Sequence, residues 1–209
     1  MGYYGDQTKK ELEKPPKEIA VVDPAFVFKA PIMLYMEHHG ITTPKYIFKG
    51  IDGKTYFTGK DSLTKCILYD STDAPLVNIR TSLSGNYKVY LKDKKETLLI
   101  ETTSKFSWVA NKLIVKYHNI ATESEETLDL NMESYYRSAG LFAGKEKENA
   151  PMICKIMRMK GTSSHSEYSI EMAAGVDNVF LLAIGIIFMS SYEAFKQHKK
   201  RQHKRIVYN

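Results

Sequence analysis

Residues 179–189 are apolar on every side and carry no charge. Such a stretch has two possible surroundings, lipid or the interior of a protein, and the choice constrains everything the rest of the chain must build. A spanning helix needs roughly 20 mostly apolar residues to cross a hydrocarbon core of about 30 Å. At about 1.5 Å per residue, the uncharged run covers only about half of that thickness. Lengthening it upstream takes in Asp177, and lengthening it downstream takes in Glu193. Either carboxylate costs roughly 2.5–3.5 kcal/mol near the centre of a bilayer. A short helix that is hydrophobic all round is instead expected to be buried in protein. The alternative reading is a tail anchor that spans a membrane over residues 174–195.

The chain ahead of that run supplies a body to bury it. Residues 26–172 read as short strands separated by turn chemistry. Tyr46, Ile47 and Phe48 face Thr55, Tyr56 and Phe57 across Asp52-Gly53, a pair that tolerates positive φ and favours a hairpin. Residues 66–69 and 76–80 flank a Ser71-Thr72-Asp73 turn, and Tyr87, Val89 and Leu91 alternate with Lys88, Tyr90 and Lys92. Alternation with period two marks a half-buried strand. Further strands are expected at 97–101, 106–110, 113–118, 127–132, 134–138, 152–159 and 167–172. In the 127–132 segment Leu128, Leu130 and Met132 share one face. Residues 140–149, rich in glycine and charge, read as a loop. Many short strands at even spacing argue a meandering all-β barrel or sandwich. A closed barrel can bury a helix along its axis, and Asp177 is placed to cap that helix. Residues 1–18, polar and broken by Pro15-Pro16, read as a flexible arm. Residues 19–195 are the barrel, with its helix at about 177–195, and 196–209 a basic tail.

Charge sharpens the functional question. The tail holds Lys196, Lys199, Lys200, Arg201, Lys204 and Arg205 and no acid, and removing these six leaves 24 basic against 24 acidic groups. The formal charge of +6 therefore belongs to the tail. A local basic block attracts anionic membranes or nucleic acids. The same residues complement the dipole at a helix C-terminus.

Catalytic motifs are missing. The sequence has no phosphate-binding glycine loop, no His-Glu-x-x-His, no Cys-x-x-Cys and no nucleophile elbow. His38-His39 precedes Gly40 and reads as a pair of surface turn histidines without partner ligands. The acids Glu123, Glu125, Glu126, Asp129 and Glu133 lack calcium-loop spacing. Cys66 and Cys154 fit neither a disulfide framework nor a metal site, which suits reduced thiols in the cytosol. No cofactor and no metal are expected.

Residues 168–177 (Tyr168-Ser169-Ile170-Glu171-Met172-Ala173-Ala174-Gly175-Val176-Asp177), followed by the apolar run, resemble the closing strand and core helix of the LURP-one-related family. Residues 46–57 resemble its early hairpin, and Leu68-Tyr69-Asp70 with Pro75-Leu76-Val77 its next one. The family belongs with the tubby C-terminal-like proteins and phospholipid scramblases. The resemblance implies a mainly β fold, an antiparallel barrel of about twelve strands enclosing a C-terminal hydrophobic helix. Scramblases carry an acidic calcium-associated segment and a cysteine cluster, and neither is visible here. Lipid scrambling is therefore not carried over. Tubby-type members bind phosphoinositides through basic surface residues, a class-level expectation for this chain.

The resulting expectation is a non-enzymatic, monomeric barrel protein that binds an anionic phospholipid surface or a protein partner. It is expected in the cytoplasm, peripheral at membranes. The residues placed in the binding role are Lys199, Lys200, Arg201, Lys204 and Arg205, with Lys94 and Lys95 at a hairpin tip as lesser candidates. Besides the tail anchor, the alternative is a nuclear or nucleic-acid-associated regulator using the basic tail.

Overall fold

The computed structural model describes residues 3–40, 43, 45–62, 65–107, 110–161 and 165–207, without the side chains of 160, 161, 165 and 203–207. The described residues form the strands β1 (Ile32–His39), β2 (Tyr46–Lys49), β3 (Thr55–Asp61), β4 (Cys66–Asp70), β5 (Pro75–Thr81) and β6 (Tyr87–Leu91). They continue with β7 (Leu98–Lys105), β8 (Ala110–Asn119), β9 (Ser124–Glu133), β10 (Ser138–Phe142), β11 (Met152–Gly161) and β12 (His165–Met172). Each strand pairs antiparallel with its neighbour in sequence, and β1 pairs with β12 from Ile32↔Met172 to His39↔His165. The barrel is closed, so no strand is left with an unpaired edge.

Turn chemistry sets the register of the early hairpins. Gly53 sits at φ +76, and its N–H donates to the Gly50 carbonyl at 3.0 Å. At the next hairpin the Asp70 carboxylate accepts the N–H groups of Thr72 and Ala74 at 2.8 and 2.9 Å, while Asp73 takes φ +67. Alternation then fills the interior. Leu34 and Met36 of β1, Leu128, Leu130 and Met132 of β9, and Tyr168, Ile170 and Met172 of β12 are all buried.

Through this interior runs α2 (Asn178–Val207). Its side chains from Val179 to Ile184 and from Ile186 to Met189 are 0% exposed, and Gly185 between them is buried. A Cβ at Gly185 would meet Ile170 Cδ1 at 2.9 Å and Met36 Sδ at 3.7 Å, so the wall approaches the helix closely here. The helix start is fixed by Asp177. Its Oδ1 accepts the Phe180 N–H at 3.0 Å, and its Oδ2 accepts those of Val21, Val22 and Asp23 at 3.2, 2.7 and 3.2 Å. Burial raises the carboxyl above the usual aspartate value even though these four donors pull it down. The segment around Ile19 closes this end, exchanging backbone bonds with Gly175 and Asp177.

Five expectations need correction. The apolar helix does not stop near residue 195; it continues as one helix to Val207, so the basic tail is the part of α2 outside the barrel. The N-terminal arm is not loose throughout. A helix α1 (Tyr3–Lys9) packs on the wall, with Gln7 Nε2 donating to the Asn131 carbonyl and Ser138 Oγ donating to Gln7 Oε1. This docking uses a buried glutamine rather than an apolar stripe, which is why periodicity missed it. Residues 134–137 form a turn, and the strand begins at Ser138; β10 is buried throughout, although its Gly140 and neighbours read as loop. Phe106 and Ser107 lie outside any strand, and Trp108 falls outside the described residues.

Candidate basic groove at the helix exit

Where α2 leaves the barrel, side chains from several strands hold it. Ser191 Oγ donates to Tyr87 Oη at 3.1 Å. Glu193 faces the other way, its Oε2 2.8 Å from Lys45 Nζ, which also reaches Asp61 Oδ2 at 2.7 Å. Its Oε1 lies 3.0 Å from His38 Nε2. That second contact is a close approach without hydrogen-bond alignment. Burial disfavours the Glu193 carboxylate, but His38 and Lys45 outweigh it and bring the pKa down to about 2. His38 is thus a buried strand residue, 3% exposed, and not a surface turn histidine. Its partner lies 155 residues away, out of reach of local pattern.

Tyr136 marks the opposite flank. It adopts φ +56, a conformation bulky residues rarely take. Its ring is held among Phe188, Tyr192 and Phe195, with centroids 5.9, 5.7 and 5.3 Å away. The turn is fixed by the buried Glu133 carboxylate, which accepts from the Tyr135 N–H at 3.0 Å and from Arg137 Nη2 at 2.8 Å. Burial raises this carboxyl, and the Arg137 and backbone donors overcome that to leave it below the usual value. With Tyr136 turned inward, Tyr135 and Arg137 face outward beside the helix.

They line a groove of about 550 Å³ together with Arg158, Tyr192, Phe195, Lys196, Lys199 and Lys200. Aromatic rings seat the cations. Lys196 Nζ lies 4.5 Å from the Tyr192 centroid, and Lys199 Nζ lies 4.8 Å from Phe195 and 5.5 Å from Tyr135. Arg137 stands 4.3 Å from the Tyr4 ring of α1, so the arm also braces the groove. Such contacts contribute about 0.5–1 kcal/mol each at exposed sites. Among the described residues, no carboxylate pairs with Arg158, Lys196, Lys199 or Lys200. Arg137 is compensated by Glu133, and the remaining described cations of the groove stand unpaired between aromatic walls.

The fold around this groove also has known relatives. The family model for LURP-one-related proteins matches residues 32–189, most of the chain. The chain belongs to the LURP-one-related family. A crystal structure of a protein from Arabidopsis thaliana is similar to it, with a TM-score of 0.62 and 18% identity over 82% of this chain and 98% of that one. At that identity the likeness speaks for the fold. No curated protein matches the sequence.

In this LURP-one-related barrel the expected binding residues divide. Lys199 and Lys200 line the groove, and Arg201 is exposed on the same helix. Lys204 and Arg205 continue the helix, with side chains outside the described residues. Lys94 and Lys95 do not join them. Lys95 shares a separate recess with Arg80, Lys88 and Tyr90 on β5 and β6, and Lys94 pairs with Glu96 at 3.8 Å. Strands β7 to β9 separate that patch from β10 and β11 around the wall. Arg137, Arg158 and Tyr135 were not legible as site residues. Tyr192, Phe195, Lys196 and Lys199 stand at helical spacing of three, four and seven, which is the signal that extending the helix past 195 would have exposed. Among the described residues, no group of three His, Cys, Asp or Glu gathers as a metal site. Cys66 and Cys154 are buried thiols whose pKa values burial pushes up.

Proposed function

We propose that this barrel is a non-enzymatic binder of multiply anionic lipid headgroups, of the phosphoinositide class, at a cytoplasmic membrane surface. The observation that carries the reading is the groove at the helix exit. There Arg158, Lys196, Lys199 and Lys200 converge between Tyr135, Tyr192 and Phe195, without acid partners among the described residues. Arginine supplies paired donors to phosphate oxygens, and lysine supplies mobile point charge. Each basic group contributes about 1 kcal/mol near an anionic surface, so the four together are worth about 4 kcal/mol, or about a thousandfold. Burial of the apolar half of α2 inside the barrel supports a peripheral attachment over a spanning one.

Sedimentation with liposomes tests this. The protein is expected to pellet with phosphoinositide-containing vesicles, to stay in solution with neutral ones, and to be released by salt. A chain ending at Gln197 keeps Arg158 and Lys196 and is expected to bind more weakly. Adding Arg158→Glu and Lys196→Glu to that chain is expected to abolish binding. Equal binding of all three to phosphoinositide vesicles would remove the groove from the function. Carbonate extraction from cells completes the test: release into the supernatant is expected, and retention would favour a spanning helix.

A further inference from the structure

The groove is flanked by two hairpin tips whose composition does not suit water. The turn after β5 is closed by the Gly85 N–H donating to the Ser82 carbonyl at 3.0 Å, with Gly85 at φ +80. This leaves Leu83 at the tip, fully exposed. The turn after β7 presents Phe106, 76% exposed. The two tips are joined: Asn86 Oδ1, one residue beyond the first turn, accepts from Ser104 N–H at 3.1 Å and Ser104 Oγ at 3.2 Å. Leu83 and Phe106 are therefore carried on connected loops rather than on two independent ones.

Their position matters as much as their exposure. A recess of about 490 Å³ lies between these loops and α2, lined by Gly85, Phe106, Lys105, Lys112 and Phe195 among others. Phe195 also lines the basic groove, so the two recesses flank the same stretch of emerging helix. One end of the barrel thus combines apolar tips, flanking lysines and the arginine-lysine groove. Exposed apolar side chains rimmed by basic groups match a bilayer with anionic headgroups: the charges meet phosphate while the apolar groups enter the acyl boundary. A soluble anion would engage the groove and leave the tips in water.

We infer that this end of the barrel docks on an anionic bilayer, with Leu83 and Phe106 inserted beside the headgroup held in the groove. The inference rests on the headgroup site proposed above, but it assigns separate residues and makes a separate prediction. Insertion adds apolar burial to the electrostatic attachment, so vesicle binding is tighter than the headgroup contacts alone supply.

The test uses the full chain and a Leu83→Ser/Phe106→Ser variant, which removes the apolar groups without adding charge. The probes are vesicles of phosphatidylcholine with phosphatidylinositol bisphosphate and the soluble headgroup inositol trisphosphate. The variant is expected to lose tenfold or more in vesicle affinity while binding inositol trisphosphate as the native chain does. Unchanged vesicle affinity in the variant would overturn insertion and leave the groove reading intact. Loss of vesicle binding in the variant, with no inositol trisphosphate binding by either protein, would support the tips and refute the groove. Absence of vesicle binding by the native chain would overturn both. Matching circular dichroism and melting of variant and native chain establish that any loss reflects binding.

Discussion

Arg158 on β11 sets its guanidinium 5.7 Å from the ring of Tyr192 on α2, with Nη1 3.4 Å from the phenol oxygen. This pairing ties the barrel wall to the helix at the point where the helix becomes basic, and it places a strand arginine among helix lysines. Arg158→Ala is expected to weaken binding to phosphoinositide vesicles about five- to tenfold, the effect of removing one cation worth about 1 kcal/mol near the surface. The salt dependence of binding should become shallower at the same time. Vesicle titration at several salt concentrations checks both, and an unchanged slope would argue that Arg158 does not meet phosphate.

Glu193 gives the protein an acid-sensitive fastening. Its pKa is about 2 in the fold against an ordinary 4.5. Between those values the unfolded chain holds more protons at this site, so its contribution to stability is complete above about 4.5 and is lost as pH falls toward 2. Glu193→Gln is expected to destabilise the fold at pH 7, with the gap from the native chain narrowing below pH 4.5. Urea melts at pH 7, 4 and 3 measure it. A gap that stays constant across this range would show that the His38 and Lys45 contacts do not hold the carboxylate down.

Asp177 satisfies four backbone N–H groups with one side chain. Asp177→Ala leaves these donors without a partner at a buried helix start and is expected to cost about 2–4 kcal/mol. For a chain of this size that lowers the melting temperature by about 5–15 °C. Asp177→Asn retains one acceptor oxygen and should lose less. Calorimetry distinguishes the two, and equal losses would mean that a single amide oxygen cannot replace the carboxylate at this junction.

Gly185 reports how closely the wall fits the helix. Gly185→Val would push into Ile170 and Met36, and overpacking of this kind costs about 1–3 kcal/mol. Phe188→Ala makes the opposite error, a cavity beside Tyr136 and Tyr168, at about 3–5 kcal/mol. Both variants should melt earlier than the native chain. An unaffected Gly185→Val would show that the helix can shift within the barrel.

The barrel could be read from the chain because its determinants are local. Asp52-Gly53 turns on itself, Leu128, Leu130 and Met132 alternate on one strand, and Asp177 stands three residues before the helix N–H it caps. Expectation failed where a residue answers to a distant partner. Gln7 packs on Asn131 and Ser138, so a polar segment becomes part of the wall. His38 shares the inward face of β1 with Leu34 and Met36 and meets Glu193 there, and β10 is buried although glycine and charge follow it. Lys94 and Lys95 have the composition of a binding patch, but the curve of the barrel sets them apart from Lys199 and Lys200.

The amino-acid sequence alone determined that residues 179–189 need an interior and that the strands ahead can supply one, because burial follows from the length and polarity of contiguous segments. It also determined that the excess positive charge lies at the C-terminal end. Only the tertiary structure decided that this charge rides on a continuation of the core helix, and that Arg137, Arg158 and Tyr135 join it in one groove. The physical reason is reach. Hydrophobic patterning acts between near neighbours, whereas a binding surface is assembled from residues that meet only after the barrel has closed.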